Sequence, residues 1–422
     1  AKCRCFYVNG GRIRLGMCLG TRLRLCDVML GDRHPKVTSR FSFESSVSNM
    51  QQLGWRRLWI ETLEFRRLLA VVTVDTELDV VDPTDGVTSL REAIFATNAM
   101  PGPDEVVFDF GHDGPATILL EQGEVEISEA VTIAGDGPSL LTIDAQEQSR
   151  IFNITAETGD FAVRGLTLTR GKLLGDGTKT IPDFDGGAIR SLTTGNLSIE
   201  QSVLTGNGTE NYSPSVMIKQ ISHGGAVFAR GPVIITSSDV SNNSTNVGAR
   251  SFFFAARDGS GAGVFTHESV TVSSSTFAGN HVSVGYGGGI FAEGSVTITS
   301  SSISGNTASS GGGISADTVD VTSSSIYANT VTGMYSGDGG GISGHNIAIY
   351  SSTISHNSAV FGGGLKGQAR SVDGHVIGST VIVASSTIFG NTADVAGGIE
   401  HTGGGLPEHG LLTITNSIVA GN

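Results

Sequence analysis

The sequence has few of the residues that build helical bundles and charged surfaces. Charged residues make up 16% of the 422 positions and aromatic residues 6%. Helical bundles are rich in Leu, Ala, Glu and Lys, so this composition argues against them. Low charge combined with abundant Val and Ile also argues against a disordered chain. With 60 glycines available for turns, the composition favours an all-β protein.

Cysteine is absent after residue 26. The four cysteines lie in the first 26 residues, and their spacing fits no standard zinc pattern: Cys3, Cys5, Cys18 and Cys26. A body without cysteine is compatible with an oxidising exterior. No apolar run approaches about 18–20 residues, so the sequence predicts no transmembrane helix.

The net charge of −14 is spread unevenly along the chain. Residues 1–49 carry nine Lys/Arg and three Asp/Glu, which leaves 17 basic and 37 acidic residues in the remainder. Because phosphate binding needs clustered Lys and Arg, so acidic a body argues against nucleic acid as a partner.

The first 72 residues differ from the rest of the chain. Residues 1–49 are predicted to be disordered or to be upstream sequence without a folded role; the alternative is a small cysteine-based metal or disulfide unit. Residues 50–72 are interpreted as an export or sorting segment, with an amphipathic helix of the mature protein as the alternative. Within them, ETLEFRRLLA at 61–70 resembles the LEPR-type sorting segment of bacterial surface and exported proteins, with Phe65 in place of the proline.

One helix is predicted at the start of the β-rich body. Ser89 can serve as its N-cap, Glu92 completes a capping box, and the Pro-Gly pair at 101–102 ends it. We expect this helix to cover the open end of a stack of strands. The stretch DGVTSLREAI, followed by EVVFDF, resembles the CSLREA motif at the start of bacterial parallel β-helix proteins, with Thr88 replacing the Cys. The resemblance implies a cap that initiates the fold. The apolar face of the helix is formed by Leu90, Ala93, Ile94 and Thr97.

A two-part pattern repeats from Gly186 to the last residue. One part is a glycine pair, a small residue and an aliphatic residue, as in GGAI at 186–189 and GGGI at 287–290. The other part is an alternating strand, a Ser/Thr cluster, an aliphatic residue, two further residues and an asparagine. Spacings of 23 to 37 residues indicate a solenoid whose corners accept loops. The repeated asparagines are Asn207, Asn243, Asn280, Asn306, Asn329, Asn357, Asn391 and Asn422.

This pattern predicts an all-β right-handed parallel β-helix with a short N-terminal capping helix. In VTITSSSIS, Val296 and Ile298 alternate with threonines, so one face is buried. Coils stacked about 4.8 Å apart place equivalent residues in columns: Val/Ile inside, a Ser/Thr column and an Asn column at one corner. Asn329→Leu is therefore expected to cost about 1–3 kcal/mol. Residues 73–180 are predicted to form the cap and irregular first coils, and residues 181–422 the regular coils.

The two parts of the repeat resemble those of bacterial polymorphic outer-membrane proteins. TFAGN at 276–280 carries that family's F-x-x-N pattern, and GGAI at 186–189 and GGAV at 224–227 carry its second pattern. The resemblance spans about 180–422 and implies a surface-exposed, passenger-like β-helix linked with adhesion, outside the cell or on the cell outer membrane. The chain stops at the end of a coil, so we expect either a truncation at the C-terminus or another segment that covers this end.

Two pairs of insertions are candidate binding loops. Insertions 208–223 and 244–260 leave the same corner on successive coils; they either pack on the solenoid flank or form a ligand patch. Insertions 366–380 and 400–410 either bind a metal or carry scattered loop charges, and we predict the latter. The first pair contains Tyr212, Met217, Lys219, Arg250, Phe252, Phe253, Phe254 and Arg257. The second pair contains Arg370, Asp373, His375, Glu400, His401, Glu408 and His409.

Catalytic motifs are missing from the repeats. Polysaccharide lyases and hydrolases need paired carboxylates, or a calcium-binding Asp cluster with a basic proton acceptor. Between residues 259 and 422 the strong bases are Lys366 and Arg370, and the best acidic pair in the chain, Asp183 and Asp185, is interpreted as turn residues. We therefore predict no catalytic, cofactor-binding or metal-binding residue and no cofactor.

These observations favour a non-catalytic extracellular or cell-surface protein with a structural or adhesive role. Its expected partner is a surface glycan or a protein ligand. The alternative is a carbohydrate-active β-helix enzyme, either a polysaccharide lyase or a glycoside hydrolase.

Overall fold

The computed structural model describes residues 70–175, 184–211, 222–247, 259–333, 337–372, 375–402 and 410–422. These residues belong to one compact unit, Phe65–Asn422. The predictions for residues 1–49 and for most of 50–72 lie outside the described residues, and so do parts of the corner insertions.

Short parallel strands stack into three sheets, and the chain visits the three sheets in turn around each coil. In one regular coil, Ile290–Thr299 lies in the first sheet, Ser302–Ser304 in the second and Thr307–Ala308 in the third. Each strand pairs in parallel with its counterpart in the next coil, which confirms the predicted parallel β-helix. The counterparts in that next coil are Ile314–Thr322, Ser325–Tyr327 and Thr330–Val331.

The strand bounds within the described residues follow this order. The first sheet contains Val71–Val74, Asp104–Phe108, Val125–Ile127, Val131–Ala134, Phe152–Ile154, Phe161–Arg164, Ile189–Ser191, Leu197–Glu200, Val227–Ala229, Val233–Thr236, Val264–Thr266, Val270–Ser273, Ile290–Thr299, Ile314–Thr322, Ile342–Tyr350, Leu365–Gly367, Thr380–Ala384, Ile399–His401 and Leu411–Thr415. The second contains Ala116–Leu119, Leu141–Asp144, Thr167–Thr169, Val203–Thr205, Asp239–Ser241, Thr276–Ala278, Ser302–Ser304, Ser325–Tyr327, Thr353–Ser355, Thr387–Phe389 and Ile418–Ala420. The third contains Lys172–Gly175, Gly208–Asn211, Ser244–Val247, His281–Val282, Thr307–Ala308, Thr330–Val331, Ser358–Phe361 and Thr392–Val395. Two small pairings remain: the parallel strands Ser222–His223, Gly259–Ser260 and Gly285–Tyr286, and the antiparallel hairpin of Arg370–Val372 with His375–Ile377.

Aliphatic side chains fill the interior of the solenoid in columns. Val272, Ile298 and Val321 are register partners on successive coils, and all three are fully buried. The alternation of the strand sequence puts one such residue inside at every second position. Burial of each Val or Ile contributes about 1.5–3 kcal/mol, so the column is a main source of stability along the axis.

Each regular coil turns at three corners where the backbone is left-handed. The glycine corner has Gly287 at φ 63°, the serine corner has Ser300 at φ 50°, and the asparagine corner has Gly305 at φ 63° just before Asn306. Non-glycine residues pay about 1–2 kcal/mol for this conformation, so neighbouring contacts must hold the serine corner. Serine occupies it in six successive coils: Ser237, Ser274, Ser300, Ser323, Ser351 and Ser385.

The predicted asparagine column forms a hydrogen-bonded ladder. The Asn306 amide nitrogen donates to Asn329 Oδ1 at 2.9 Å and to the Phe277 carbonyl at 3.0 Å, and the Asn306 backbone N–H donates to the same Oδ1 at 3.0 Å. Seven amide-to-amide links of 2.8–3.1 Å run from Asn207 to Asn422. The buried amides from Asn207 to Asn391 are therefore hydrogen-bonded, and the ladder ends at the exposed Asn422.

A second ladder follows the serine corner. Ser301 Oγ donates to the Thr299 carbonyl at 2.7 Å and accepts the Ser275 backbone N–H at 3.1 Å. Links of 3.0–3.1 Å connect eight serines from Ser202 to Ser417. This ladder confirms the predicted Ser/Thr column and anchors the left-handed residue beside it.

The predicted capping helix, α1 (Leu90–Asn98), covers the first coils. Its capping box is present, its buried residues are the four predicted ones, and it packs against Val71–Val74, Asp104–Phe108 and Val125–Ile127. Arg91 pairs with Asp79 at 2.9 Å and also donates to two backbone carbonyls at 2.8 and 3.0 Å. In the SLREA segment, Ser89 and Glu92 form the helix cap, and Leu90 and Ala93 are buried. Arg91 forms the ion pair with Asp79. No helix in the described part of the chain is long and apolar enough to cross a bilayer.

Candidate functional site

The residues just after the glycine corner form one outward-facing column along the first sheet. Each follows an aliphatic residue that is buried or, before Glu400, partly buried, as Phe291 follows Ile290, and strand register pairs each member with the next. We call this set the outer column. Its chemistry changes from coil to coil, whereas the two ladders keep one residue type. Its members are Arg190, Phe228, Phe265, Phe291, Ser315, Ser343, Lys366 and Glu400.

The middle of the outer column is an aromatic stack. Phe228 and Phe265 have ring centroids 5.4 Å apart and planes 5° apart, and Phe265 and Phe291 are 5.2 Å and 14° apart. His267 meets the Phe265 ring edge-on at 5.1 Å. The three phenylalanines are only 3–8% exposed. This stack packs coils together, and its rings are not open to a ligand.

The last part of the outer column is polar and charged. Lys366 Nζ pairs with Glu400 Oε1 and lies 5.3 Å from the centroid of the Phe361 ring. Lys366 is 9% exposed, which is low for a lysine. The Gln368 amide nitrogen donates to Asp338 Oδ2 at 3.1 Å and to Ser343 Oγ at 2.7 Å. We call this group the Lys366 cluster: Asp338, Ser343, Phe361, Lys366, Gln368 and Glu400.

The Lys366 cluster contains two carboxyl groups, Asp338 and Glu400, but one cationic group, Lys366. Burial raises the pKa of Asp338 above its ordinary value, and Glu400 adds to this, against the opposing effects of the Lys366 charge and the Gln368 hydrogen bond. Glu400 Oε2 is buried and has no hydrogen-bond partner among the residues that the structure describes. A buried polar atom without a partner is rare in folded proteins and needs an explanation. The cluster therefore has hydrogen-bonding capacity that the fold does not use.

Asp185 has a local structural role. Its Oδ1 accepts the His223 backbone N–H at 2.7 Å, and its carbonyl accepts from Arg150 at 3.1 Å. These contacts link successive coils next to the glycine corner. Asp183 lies outside the described residues, so the acidic pair stays a prediction.

The members of the first pair of insertions that the sequence singled out all lie outside the described residues, and the patch they would form remains a prediction. In the second pair, Arg370 pairs with Asp317 at 3.0 Å, and His401 hydrogen-bonds the Ser379 carbonyl at 2.8 Å. His375 is exposed in the hairpin, whereas Asp373, Glu408 and His409 lie outside the described residues. No group of three or more His, Cys, Asp or Glu within the described ranges could hold a metal ion.

Sequence analysis missed Asp338 and the pairing of Lys366 with Glu400. The positions of Lys366 and Glu400 within the repeat could have predicted their pairing. Lys366 and Glu400 are the first residues after GGGL and GGI, and they are 34 positions apart, as are Asn357 and Asn391. Aligning the repeats at their asparagines would have placed the two charges side by side.

Comparison of the chain with protein-family models, curated proteins and solved structures gave no match.

Proposed function

We propose that this chain is an extracellular or cell-surface β-helix with a structural or adhesive role. The observation that carries the proposal is the contrast between the constant ladders and the variable outer column. The ladders fix the height and direction of every outward residue, so binding groups on this scaffold are preorganised. The repeats' resemblance to those of bacterial polymorphic outer-membrane proteins points in the same direction.

The dimensions suit a spacer that carries binding groups away from a surface. Twelve strands of the first sheet stack one on another from Val71–Val74 to Leu411–Thr415. At about 4.8 Å per step, this stack is about 50 Å long. Its stability is cooperative along the axis because each coil contacts only its neighbours.

Binding and turnover measured on the same purified chain test the proposal. We expect saturable binding to cells or to an immobilised surface glycan or protein, and no release of reducing ends or unsaturated products from a polysaccharide panel. A Ser301→Ala variant, which alters the scaffold without changing the outer column, should bind normally at temperatures where it stays folded. Turnover of a polysaccharide, or failure to bind any cell or surface, would refute the adhesive role.

A carbohydrate-active enzyme is the second candidate, and the Lys366 cluster favours it. A carboxylic acid with a raised pKa beside a second carboxylate is a combination used in glycoside hydrolysis, and a lysine can serve as the base of a lyase. Under this hypothesis, Asp338→Asn and Glu400→Gln each abolish turnover, whereas Asp317→Asn, on the exposed pair with Arg370, leaves it intact. If wild-type protein turns over no polysaccharide, the enzyme hypothesis is rejected.

A further inference from the structure

We propose that the Lys366 cluster binds the hydroxyl groups of a neutral saccharide, with Lys366 and Glu400 as the contacting residues. This inference rests on the proposed binding function and names its ligand class. It starts from Glu400 Oε2, a buried carboxylate oxygen that makes no hydrogen bond to any residue in the described ranges.

The hydrogen-bonding capacity of the pair matches a hydroxyl group. Glu400 Oε1 already accepts from Lys366, whereas Oε2 needs a donor. The Lys366 ammonium has three N–H groups and uses one of them on Glu400, so it can donate to the same incoming group. A hydroxyl both donates and accepts, and so satisfies Oε2 and Lys366 together.

The pair is accessible at its edge. The Lys366 and Glu400 side chains are 11% and 21% exposed. The unpaired oxygen itself is buried, so a hydroxyl group reaches it when the partly exposed Glu400 side chain changes rotamer. Next to the pair, Gln368 and Ser343 add neutral polar groups, and half-buried Phe361 adds apolar surface for the C–H face of a sugar.

The charges of the cluster select against acidic saccharides. Two carboxyl groups, Asp338 and Glu400, face one cation, Lys366, within the cluster. A uronate would bring a further negative charge to a site that already holds buried carboxyl groups, and like charges there repel strongly. A neutral saccharide avoids this repulsion.

Chemical labelling of lysine in the full wild-type chain tests the site directly. An amine-reactive reagent is applied with and without maltohexaose, cellohexaose or trigalacturonate, and modification is followed by mass spectrometry. We expect a neutral oligosaccharide to slow labelling of Lys366 by about tenfold. Lys172, which pairs with Glu210 at 3.4 Å on the third sheet, is the control and should be unaffected. Trigalacturonate should protect neither lysine.

Variants measured by calorimetry complete the test. Lys366→Met and Glu400→Gln should each weaken saccharide binding by about tenfold or more, while Arg370→Met stays within about twofold of wild type. If saccharide binds without protecting Lys366, or binds both variants normally, the site assignment is wrong. If no neutral saccharide binds, the ligand class is wrong, and adhesion to cells then decides the proposed function separately. If Lys366→Met does not fold, protection of Lys366 from labelling in the wild-type chain still tests the site assignment.

Discussion

Replacing one asparagine of the ladder tests the physical account of the solenoid. Asn329 is fully buried, and its amide donates to Asn357 Oδ1 and to the Ile303 carbonyl, both at 2.9 Å. Its Oδ1 accepts the backbone N–H of Asn306 at 3.0 Å and the Asn306 amide at 2.9 Å. Asn329→Leu preserves the approximate volume and removes all four hydrogen bonds. It also leaves two buried N–H groups of Asn306 without an acceptor.

The size of the expected destabilisation follows from the two Asn306 N–H groups that lose their acceptor. Each buried donor without a partner costs about 1–3 kcal/mol, so we expect the two orphaned donors in Asn329→Leu to lower the free energy of unfolding by about 2–6 kcal/mol. This is twice the range of about 1–3 kcal/mol expected from the sequence, because the sequence did not show that the Oδ1 of each amide accepts two donors.

The matched control is Asn346→Leu. Asn346 lies on an outward position of Ile342–Tyr350, and its side chain makes no hydrogen bond to another described residue. The control should change the free energy of unfolding by about 0.5 kcal/mol or less. Urea unfolding followed by circular dichroism gives both free energies of unfolding. In Asn329→Leu, hydrogen exchange should show lost protection at the backbone N–H of Asn306. Equal unfolding midpoints for the two variants would refute the ladder as a source of stability.

Three further predictions address other parts of the scaffold. Ser301→Ala leaves a buried backbone N–H of the adjacent coil without its acceptor and should cost about 1–3 kcal/mol in urea unfolding; an unchanged midpoint would contradict this. The pKa of Asp79 is lowered because the hydrogen bonds and charge of its partners outweigh the effect of burial. The ionised Asp79 therefore contributes to the free energy of unfolding above about pH 4, and this contribution is lost as the pH falls through the pKa of Asp79 in the folded protein. The free energy of unfolding of the wild-type protein should fall more steeply in acid than that of Asp79→Asn. Parallel acid profiles would contradict this. Gly285 has φ 144°, and a Cβ there would lie 1.2 Å from a backbone oxygen, so Gly285→Ala should cost about 3 kcal/mol or more. Gly305→Ala, with nothing closer than 3.8 Å, should cost about 1 kcal/mol; thermal melts that rank the two alike would contradict this.

Much of the scaffold could be predicted because its information is local and repeated. The capping box of Ser89 and Glu92 is written within four residues and appears in the structure as predicted. The columns of aliphatic residues, serine and asparagine follow from a period that recurs in every coil. A contact that repeats with the sequence can be predicted without knowing the length of any loop.

The functional surface was harder to predict because its side chains differ from coil to coil, so their hydrogen bonds and burial do not repeat. Lys366 forms an ion pair with Glu400 on the following coil, and its charge lowers the pKa of Asp338 on the preceding coil against the effect of burial. Aligned repeats place these residues on neighbouring coils, but they do not show that Asp338 and Glu400 are partly buried there. The raised pKa of Asp338 and the orphaned oxygen of Glu400 exist only after packing has removed water from the cluster.

The sequence by itself determined the coil, its ladders and its cap, because alternation, turn chemistry and capping are properties of short segments. Only the tertiary structure decided which outward residues are buried against one another and which of their polar atoms are left without a hydrogen bond. It also showed that three-residue serine runs such as Ser300–Ser302 turn through a left-handed residue. Closing each coil forces that corner, and the stacking of coils then places Lys366, Glu400 and Asp338 together.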